Sequence, residues 1–209
     1  MELPRITMQQ EKERILNHEL GHWLAATHFG FHIDHLAIEG DRVNIKSGYV
    51  NMYPRPTIDK ISSVDDYLMS RIVILCAGAV MDDGWYHNLH PLNDDQRSTL
   101  FNSGLIDKTG LSDHAKIFEH LPLLSAIRFG VPSSKAEEDK NFNLILNQAW
   151  QDACSILRPK SEVLDEMLKA MLKKSEGQNS YRFTNQEMKS LEANAMQIKT
   201  CHESSIPKI

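Results

Sequence analysis

The chain lacks the composition that marks several large classes of protein. Its 209 residues include only three cysteines, Cys76, Cys154 and Cys201, and this odd and scattered set predicts no disulfide framework. Aromatic residues make up 7%, and 28 acidic residues outnumber 23 lysines and arginines. A nucleic-acid partner is therefore not expected, because binding phosphates needs concentrated basic charge and single strands need aromatic stacking platforms.

Membrane-spanning and nucleotide-binding segments are also lacking. The longest apolar run, Ile72 to Met81, is far shorter than the roughly 20 residues that cross a bilayer. The first residues contain no apolar stretch of the signal-peptide type. Gly104, Lys108 and Thr109 have the wrong spacing for a phosphate-binding loop. We therefore expect a cytoplasmic protein with no membrane span and no ATP binding in this chain.

What the chain does contain is a series of helix signals along most of its length. Thr7 and Gln10 have the spacing of a capping box, and Gly30 suits the end of a helix. Short β-type runs follow between His35 and Tyr53, and Pro54 ends them because proline cannot donate to a ladder. The expected fold class is therefore mainly α with a small β-sheet insert.

These signals predict a single domain over residues 1–196 and a flexible tail at 197–209. The predicted segments are a first helix at 7–30, a β insert at 35–54, a core helix at 62–83, a helix at 112–130 and C-terminal helices at 135–196. Pro159 breaks the last group, and a second capping box at Thr184 and Glu187 opens its final helix. The stretch 85–107 is expected to be irregular, with one short helix near 95–101.

The chemistry is concentrated in the sequence His18-Glu19-Leu20-Gly21-His22. Two imidazoles at i and i+4 lie one above the other on a helix, so both can bind one tetrahedral ion. The glutamate after the first histidine projects about 100° around the helix, where it can take a proton from water without binding the metal. This is the HExxH arrangement of zinc metallopeptidases, with the two histidines as ligands and Glu19 as the general base.

The place of this motif on its helix also favours a metal site. Leu16, Leu20, Trp23, Leu24 and Thr27 form one apolar arc, and the two histidines and the glutamate fall at its edge. That position anchors the side chains against the core and leaves them open to a cleft. The alternative is an ordinary histidine pair at the rim of the core, next to a surface glutamate.

The third ligand does not follow from spacing alone. His28 stands six residues after His22, as in metzincins, but Ala25 replaces the glycine at which the metzincin helix turns. In an unbroken helix His28 points away from the motif. A gluzincin needs a glutamate on a later helix, whereas Glu39 lies in a predicted turn. Neither scheme fits this sequence.

Several segments, taken in order, resemble one known family. They read HELGHWL at 18–24, HLAI at 35–38, GYV at 48–50 ahead of a proline, CAGAVMDD at 76–83 and TGLSD at 109–113. Together with the helices near 149–157 and 164–172, they are similar to the peptidase domain of the FtsH family of AAA zinc proteases. The similarity is collinear from about residue 10 to residue 191, as a stand-alone domain without the ATPase module.

The resemblance implies the remaining metal ligand and its surroundings. Asp113 corresponds to the aspartate that is the third zinc ligand of the family. His114 is the alternative, because the segment before it is one residue shorter here. Asp82 and Asp83 correspond to paired glutamates near the family's site. They either orient the metal-binding histidines or are ordinary acids at a helix end.

The resemblance also implies a substrate site and an activity. The family's β insert presents a sheet edge to its cleft, so Gly48, Tyr49 and Val50 are the expected substrate-binding residues. The expected function is that of a zinc-dependent endopeptidase for unfolded or loosely structured polypeptide, and an oligomer is compatible with it. The alternative is a non-catalytic FtsH-like zinc-binding module that acts as an adaptor or regulator of a larger protease. The stretch 85–107 is longer than in the family and is expected to cover the cleft or to build a pocket.

Overall fold

The first helix carries the HExxH motif and is fixed at both ends by local signals. In the computed structural model, which describes residues 4–54, 56–97 and 113–204, helix α1 spans Met8–His28. The side chains and backbone N–H groups of Thr7 and Gln10 bond reciprocally, so the predicted capping box is present. Gly30, with a φ of 72°, follows the helix in the left-handed region that glycine tolerates.

A three-stranded antiparallel sheet lies against α1. Strand β1 (His32–Gly40) pairs with β2 (Ile45–Tyr53), and Leu36 stands opposite Val50. The predicted insert is thus present, but as two nine-residue strands rather than several short runs. A third strand, β3 (Tyr181–Thr184), pairs with the other side of β1, so that β2 is an edge strand of the sheet.

Strand β3 was not predicted from the sequence. It has only four residues, which is too short for alternation to be distinguished from chance. Its Phe183 is fully buried in the core, and it pairs with a strand about 145 residues earlier in the chain, since Leu36 faces Phe183. The strand is therefore formed by tertiary contact rather than by local preference.

Helix α2 (Ile61–Leu89) lies antiparallel to α1, since Ile74 contacts His22 and the later Asp82 contacts the earlier Arg14, and it forms the centre of the core. It is longer than the predicted 62–83, so the expectation of irregular chain from residue 85 is wrong for 85–89. The reason is a second apolar cluster in which Trp85 and Tyr86 pack with Leu92 and Ile6. Burial of these side chains stabilises the additional helical residues.

The contact between α1 and α2 is close at one point. A Cβ atom at Gly21 would lie 2.6 Å from Met81 Cγ and 2.7 Å from the carbonyl oxygen of Ala77. Only glycine fits this crossing, so Gly21, one of the three residues between the motif histidines, allows the helices to approach each other. As expected for a core helix, Ile72 and Cys76 are fully buried.

The second half of the chain is helical. Its elements are α3 (Asp113–Phe129), α4 (Lys135–Leu157), a 3-10 turn (Arg158–Lys160), α5 (Ser161–Lys174) and α6 (Asn185–Ser204). The break at Pro159 and the capping box at Thr184 and Glu187 are confirmed. The segment 197–204, predicted to be a flexible tail, continues α6 as helix. Residues 112 and 205–209 lie outside the described chain.

The architecture is therefore mainly helical with one small antiparallel sheet, as the sequence predicts. Among the helices of the described ranges, none is both long enough and apolar enough to cross a membrane. Helix α1 is buried on nearly all sides from Arg14 to Ala26, because α2 and the sheet cover different faces of it. The motif thus lies deeper than the predicted edge of an apolar arc.

Candidate metal centre

His18 and His22 lie one turn apart on α1 and face the same point. The two residues are 4% and 6% exposed, and their Nε2 atoms are 2.9 Å apart. Gly78 of α2 provides the space. A Cβ atom there would lie 2.5 Å from His18 Nε2 and 2.6 Å from His22 Cε1. The two rings can therefore converge only because α2 has no side chain at this position.

The outer nitrogen of each ring is held by α2. His22 Nδ1 lies 2.7 Å from the carbonyl oxygen of Ile74, which can only accept, so Nδ1 carries the proton. His18 Nδ1 lies 2.8 Å from Asp82 Oδ2 and donates to that carboxylate. With Nδ1 protonated, a neutral ring has its lone pair on Nε2. Both inner nitrogens are therefore oriented to bind at one point.

Asp113, the first residue of α3, supplies a third atom at this point. Its Oδ2 lies 3.1 Å from His18 Nε2 and 2.9 Å from His22 Nε2. Three lone-pair atoms this close repel one another unless a proton or a cation lies between them.

These distances can be compared with those of a zinc site. Ligand atoms around tetrahedral zinc, with bonds of about 2.0–2.1 Å, stand roughly 3.3 Å apart. The inner atoms of His18, His22 and Asp113 form a triangle with sides close to that length. The three side chains therefore fit a zinc ion and could hold a metal. They offer three ligand atoms, so a tetrahedral ion held here would need a fourth ligand from elsewhere.

The electrostatics of the group also suit a cation. Burial alone would lower the pKa of His18, but the Asp82 charge and hydrogen bonds with Asp113 and Asp82 raise that pKa well above its ordinary value. Burial would raise the pKa of Asp113, but His22 and His18 hold it well below its ordinary value. Asp113 is therefore ionised, and its partly buried negative charge favours a positive partner at this point, either a proton on His18 or a cation.

Of the two acids at 82 and 83, only one contacts the group. Asp82 is 2% exposed, and both its oxygens lie 3.5 Å from Nη1 of the buried Arg14 while one also accepts from His18. Asp83 instead forms a 2.9 Å ion pair with Arg97. Asp82 is therefore placed to orient His18, as carboxylates commonly do behind metal-binding histidines.

The other candidates considered from the sequence lie elsewhere. The ring of His114 stands 4.5 Å from that of Phe118, and His114 does not belong to the group formed by its neighbour Asp113. His28 is exposed at the last turn of α1. Glu39 accepts a 2.9 Å hydrogen bond from the Tyr49 hydroxyl. The structure thus brings together the two motif histidines and the aspartate.

A cleft of about 300 Å³ opens beside this group. Glu19 lines it and is 5% exposed. Strand β2 passes directly over this glutamate, since a Cβ atom at Gly48 would lie 2.6 Å from Glu19 Cγ and 3.0 Å from Glu19 Oε1. A side chain at residue 48 would displace the carboxylate, so the glycine leaves Glu19 its place in the cleft.

The three residues expected to bind substrate all lie on β2. Gly48, Tyr49 and Val50 line the cleft together with their strand neighbours from Lys46 to Met52. In the described part of the chain, β2 pairs only with β1, so its other side has N–H and C=O groups that can pair with an added strand.

The long stretch 85–107 is only partly described. Residues 85–89 belong to α2 and residues 94–97 are helical. The described part packs Trp85, Tyr86 and Leu92 against Ile6 and does not line the cleft. The predicted role in covering the cleft therefore concerns residues 98–107, which lie outside the described chain.

Three features of the site were missed in the sequence. They are the Ile74 carbonyl, the buried Arg14 and the absence of a side chain at Gly78. The glycine did carry a signal, because glycine inside a helix costs about 1 kcal/mol relative to alanine and so indicates a packing reason. The carbonyl carried none, since every residue has one.

The chain matches no protein-family model and no curated protein sequence. The resemblance to the FtsH peptidase domain therefore rests on the motifs and their order alone. Neither fold family nor activity is carried over to the chain from a relative.

Proposed function

We propose that the chain is a zinc-dependent endopeptidase of FtsH-like type that hydrolyses unfolded or loosely structured polypeptide. The observation that carries the proposal is the convergence of His18, His22 and Asp113 beside a cleft that also contains Glu19. No cysteine among the described residues joins this group, whereas structural zinc sites usually have four protein ligands rich in cysteine. Three ligands next to an open cleft favour catalysis.

The chemistry divides between the metal and the chain. A zinc ion at this point would supply a Lewis acid that acidifies water and polarises a carbonyl group. Glu19 accepts a proton from the attacking water at its carboxylate and delivers it to the leaving amine. Asp82 keeps His18 in its orientation through the 2.8 Å hydrogen bond to Nδ1. Asp82 is held by its contact with His18, and Glu19 is held in the cleft beside Gly48.

The form of the cleft supports a polypeptide substrate. An extended peptide can pair with the outer edge of β2 and thereby add a strand to the sheet. Paired with Gly48, Tyr49 and Val50, such a peptide would pass directly beside Glu19, because Gly48 contacts that side chain. A substrate must be free of its own tertiary structure to become extended in this way. The proposed substrates are therefore unfolded or loosely structured chains.

The experiment compares bound metal and cleavage in the same preparations. Elemental analysis of the wild-type chain should find about one zinc per chain. The protein should cleave unfolded casein, and a chelator should abolish this cleavage. Glu19→Gln keeps the size of the side chain but removes its ability to accept a proton. We expect it to retain zinc and to lose roughly a thousandfold in cleavage rate.

Glu166→Gln serves as the control, because Glu166 pairs with Lys169 on α5 and lies outside the cleft. It should keep both zinc and cleavage. Full cleavage by zinc-loaded Glu19→Gln would contradict the assigned general base. Zinc binding without cleavage of any unfolded substrate by the wild type would favour the adaptor or regulator function over the peptidase.

A further inference from the structure

The cleft has two distinct ends because the two helices that line it run in opposite directions. Ile74 of α2 contacts His22, whereas Asp82, further along α2, contacts Arg14, which lies earlier on α1. Residues of α2 that precede Ile74 therefore lie beyond His22, at the end of the cleft away from Arg14. This end is formed by α2 together with the last residues of β2.

Arg71 stands in the wall at this end. It precedes Ile74 by three residues, a rise of about 4.5 Å along the helix, and it lines the same cleft as Glu19. Its Nη1 lies 3.4 Å from Met52 Sδ, and its guanidinium carbon lies 5.9 Å from the centre of the Phe31 ring. Arg71 is therefore held by an aromatic ring and a thioether, at the place where β2 leaves the cleft.

The charge of Arg71 is not neutralised by these neighbours. Among the residues that the structure describes, no carboxylate forms an ion pair with it. The other basic residues of the cleft differ in this respect, since Lys46 pairs with Asp41 at 2.6 Å and Lys116 lies 3.7 Å from Asp113. A guanidinium presents a planar fork of N–H donors that matches a carboxylate. Among the described residues, the closest contacts of Arg71 are the Met52 thioether and the Phe31 ring, and a half-buried guanidinium of this kind in a cleft wall is suited to binding an anionic group from outside.

We propose that Arg71 binds a carboxylate of the substrate, so that the chain selects polypeptides with a negative charge on one side of the cleaved bond. The inference rests on the proposed peptidase function. On β2, Met52 beside Arg71 is the fourth residue after Gly48, which lies beside Glu19. A peptide paired with β2 has about the same rise per residue as β2 itself. The negative charge that Arg71 binds therefore lies within about four residues of the cleaved bond. An acidic side chain and a free C-terminal carboxylate both meet this requirement.

Paired peptides test the inference and separate the two sources of the carboxylate. The probes are unstructured decapeptides with one glutamate at varied positions, each made also with glutamine and each with a free or an amidated C-terminus. Mass spectrometry locates the cuts made by the zinc-loaded full chain. We expect one glutamate position, or the free C-terminus, to raise kcat/KM by about tenfold, as a charge-assisted hydrogen bond in a partly exposed site does.

Variants of the arginine assign this preference to one side chain. Arg71→Met keeps the length of the side chain and should abolish the preference, whereas Arg71→Lys keeps the charge and should retain part of it. Arg158→Met is the matched control, because it removes an exposed arginine from the 3-10 turn outside the cleft. Thermal unfolding of each variant checks that it is folded. A preference that survives in Arg71→Met, or its absence in the wild type, overturns the inference.

A binding measurement separates this inference from the proposed function. The same peptides, labelled with a fluorophore, are titrated with Glu19→Gln protein and with Glu19→Gln that also carries Arg71→Met. Binding that prefers the carboxylate peptide and depends on Arg71 supports the inference even if the wild type cuts nothing. Cleavage without any such preference supports the peptidase and overturns the role of Arg71. Failure of every peptide to bind likewise counts against it.

Discussion

Replacing Gly78 by alanine sets two effects of known sign against each other. Alanine is favoured over glycine inside a helix by about 1 kcal/mol, so α2 alone would become more stable. The added methyl group would lie 2.5 Å from His18 Nε2 and 2.6 Å from His22 Cε1. The prediction is therefore a variant that folds but binds metal poorly.

The size of the effect follows from these distances. The tightest ordinary contacts of a Cβ atom are about 3.4 Å, so the His18 ring must move by about 0.9 Å to admit the methyl group. This is nearly half of a zinc–nitrogen bond of about 2.0–2.1 Å. Both imidazoles must also give up their hydrogen bonds to Ile74 and Asp82 in part. We expect zinc affinity to fall by about 100-fold or more, which is roughly 2.7 kcal/mol.

Gly84 provides a matched control on the same helix. A Cβ atom there meets nothing within 4 Å, so Gly84→Ala adds the same methyl group without a clash. It should stabilise the metal-free protein by up to about 1 kcal/mol and leave zinc affinity unchanged. Zinc affinity is measured by competition with a coloured chelator, and stability by urea unfolding of the metal-free chains. Wild-type zinc affinity in Gly78→Ala would refute the view that both imidazoles meet the ion at this point.

Two further predictions concern the buried polar side chains of Asp82, which contacts His18, and of Lys12, which contacts the chain that follows α5. Asp82→Asn should lower zinc affinity by about 10- to 100-fold in the same competition assay, because His18 loses its charged acceptor. Asp83→Asn should not, because that carboxylate pairs with Arg97, and equal losses in the two variants would contradict the assignment. Lys12→Met should destabilise the metal-free chain by about 2 kcal/mol in urea unfolding, since Lys12 is 6% exposed and donates to the backbone carbonyls of Ser175 and Gln178 beyond α5. An unchanged urea midpoint in Lys12→Met would show that water replaces the lysine as the hydrogen-bond donor to these carbonyls.

Helix α1 and the HExxH pair could be predicted because they depend on local geometry. A helix brings residues i and i+4 to one face whatever surrounds it, so the spacing of His18 and His22 fixes their proximity. The capping box at Thr7 and Gln10 fixes the start of the helix in the same local way. The overall content of helices and a small sheet follows from similar short-range signals.

The length of α2 and the existence of β3 could not be predicted in this way. The sequence around Trp85 contains a glycine and polar residues, and the helix continues because Trp85 and Tyr86 pack against Ile6, which lies about 80 residues earlier in the chain. Strand β3 forms because Phe183 enters the core and its backbone pairs with β1. In both cases burial decides, and burial depends on residues that are remote in sequence.

The sequence by itself determined the two imidazoles, the adjacent glutamate and the helix that carries them. The family resemblance pointed to Asp113 with His114 as the alternative, and only the tertiary structure decided which of the two meets the imidazoles. Asp113 is 91 residues beyond His22, and the choice between Asp113 and His114 depends on how the first turn of α3 faces α1. Asp82 and Asp83 point about 100° apart around α2, and the packing of α2 against α1 decides that Asp82 is the one that contacts His18. Spacing along a chain fixes distances within an element, but distances between elements follow from packing alone.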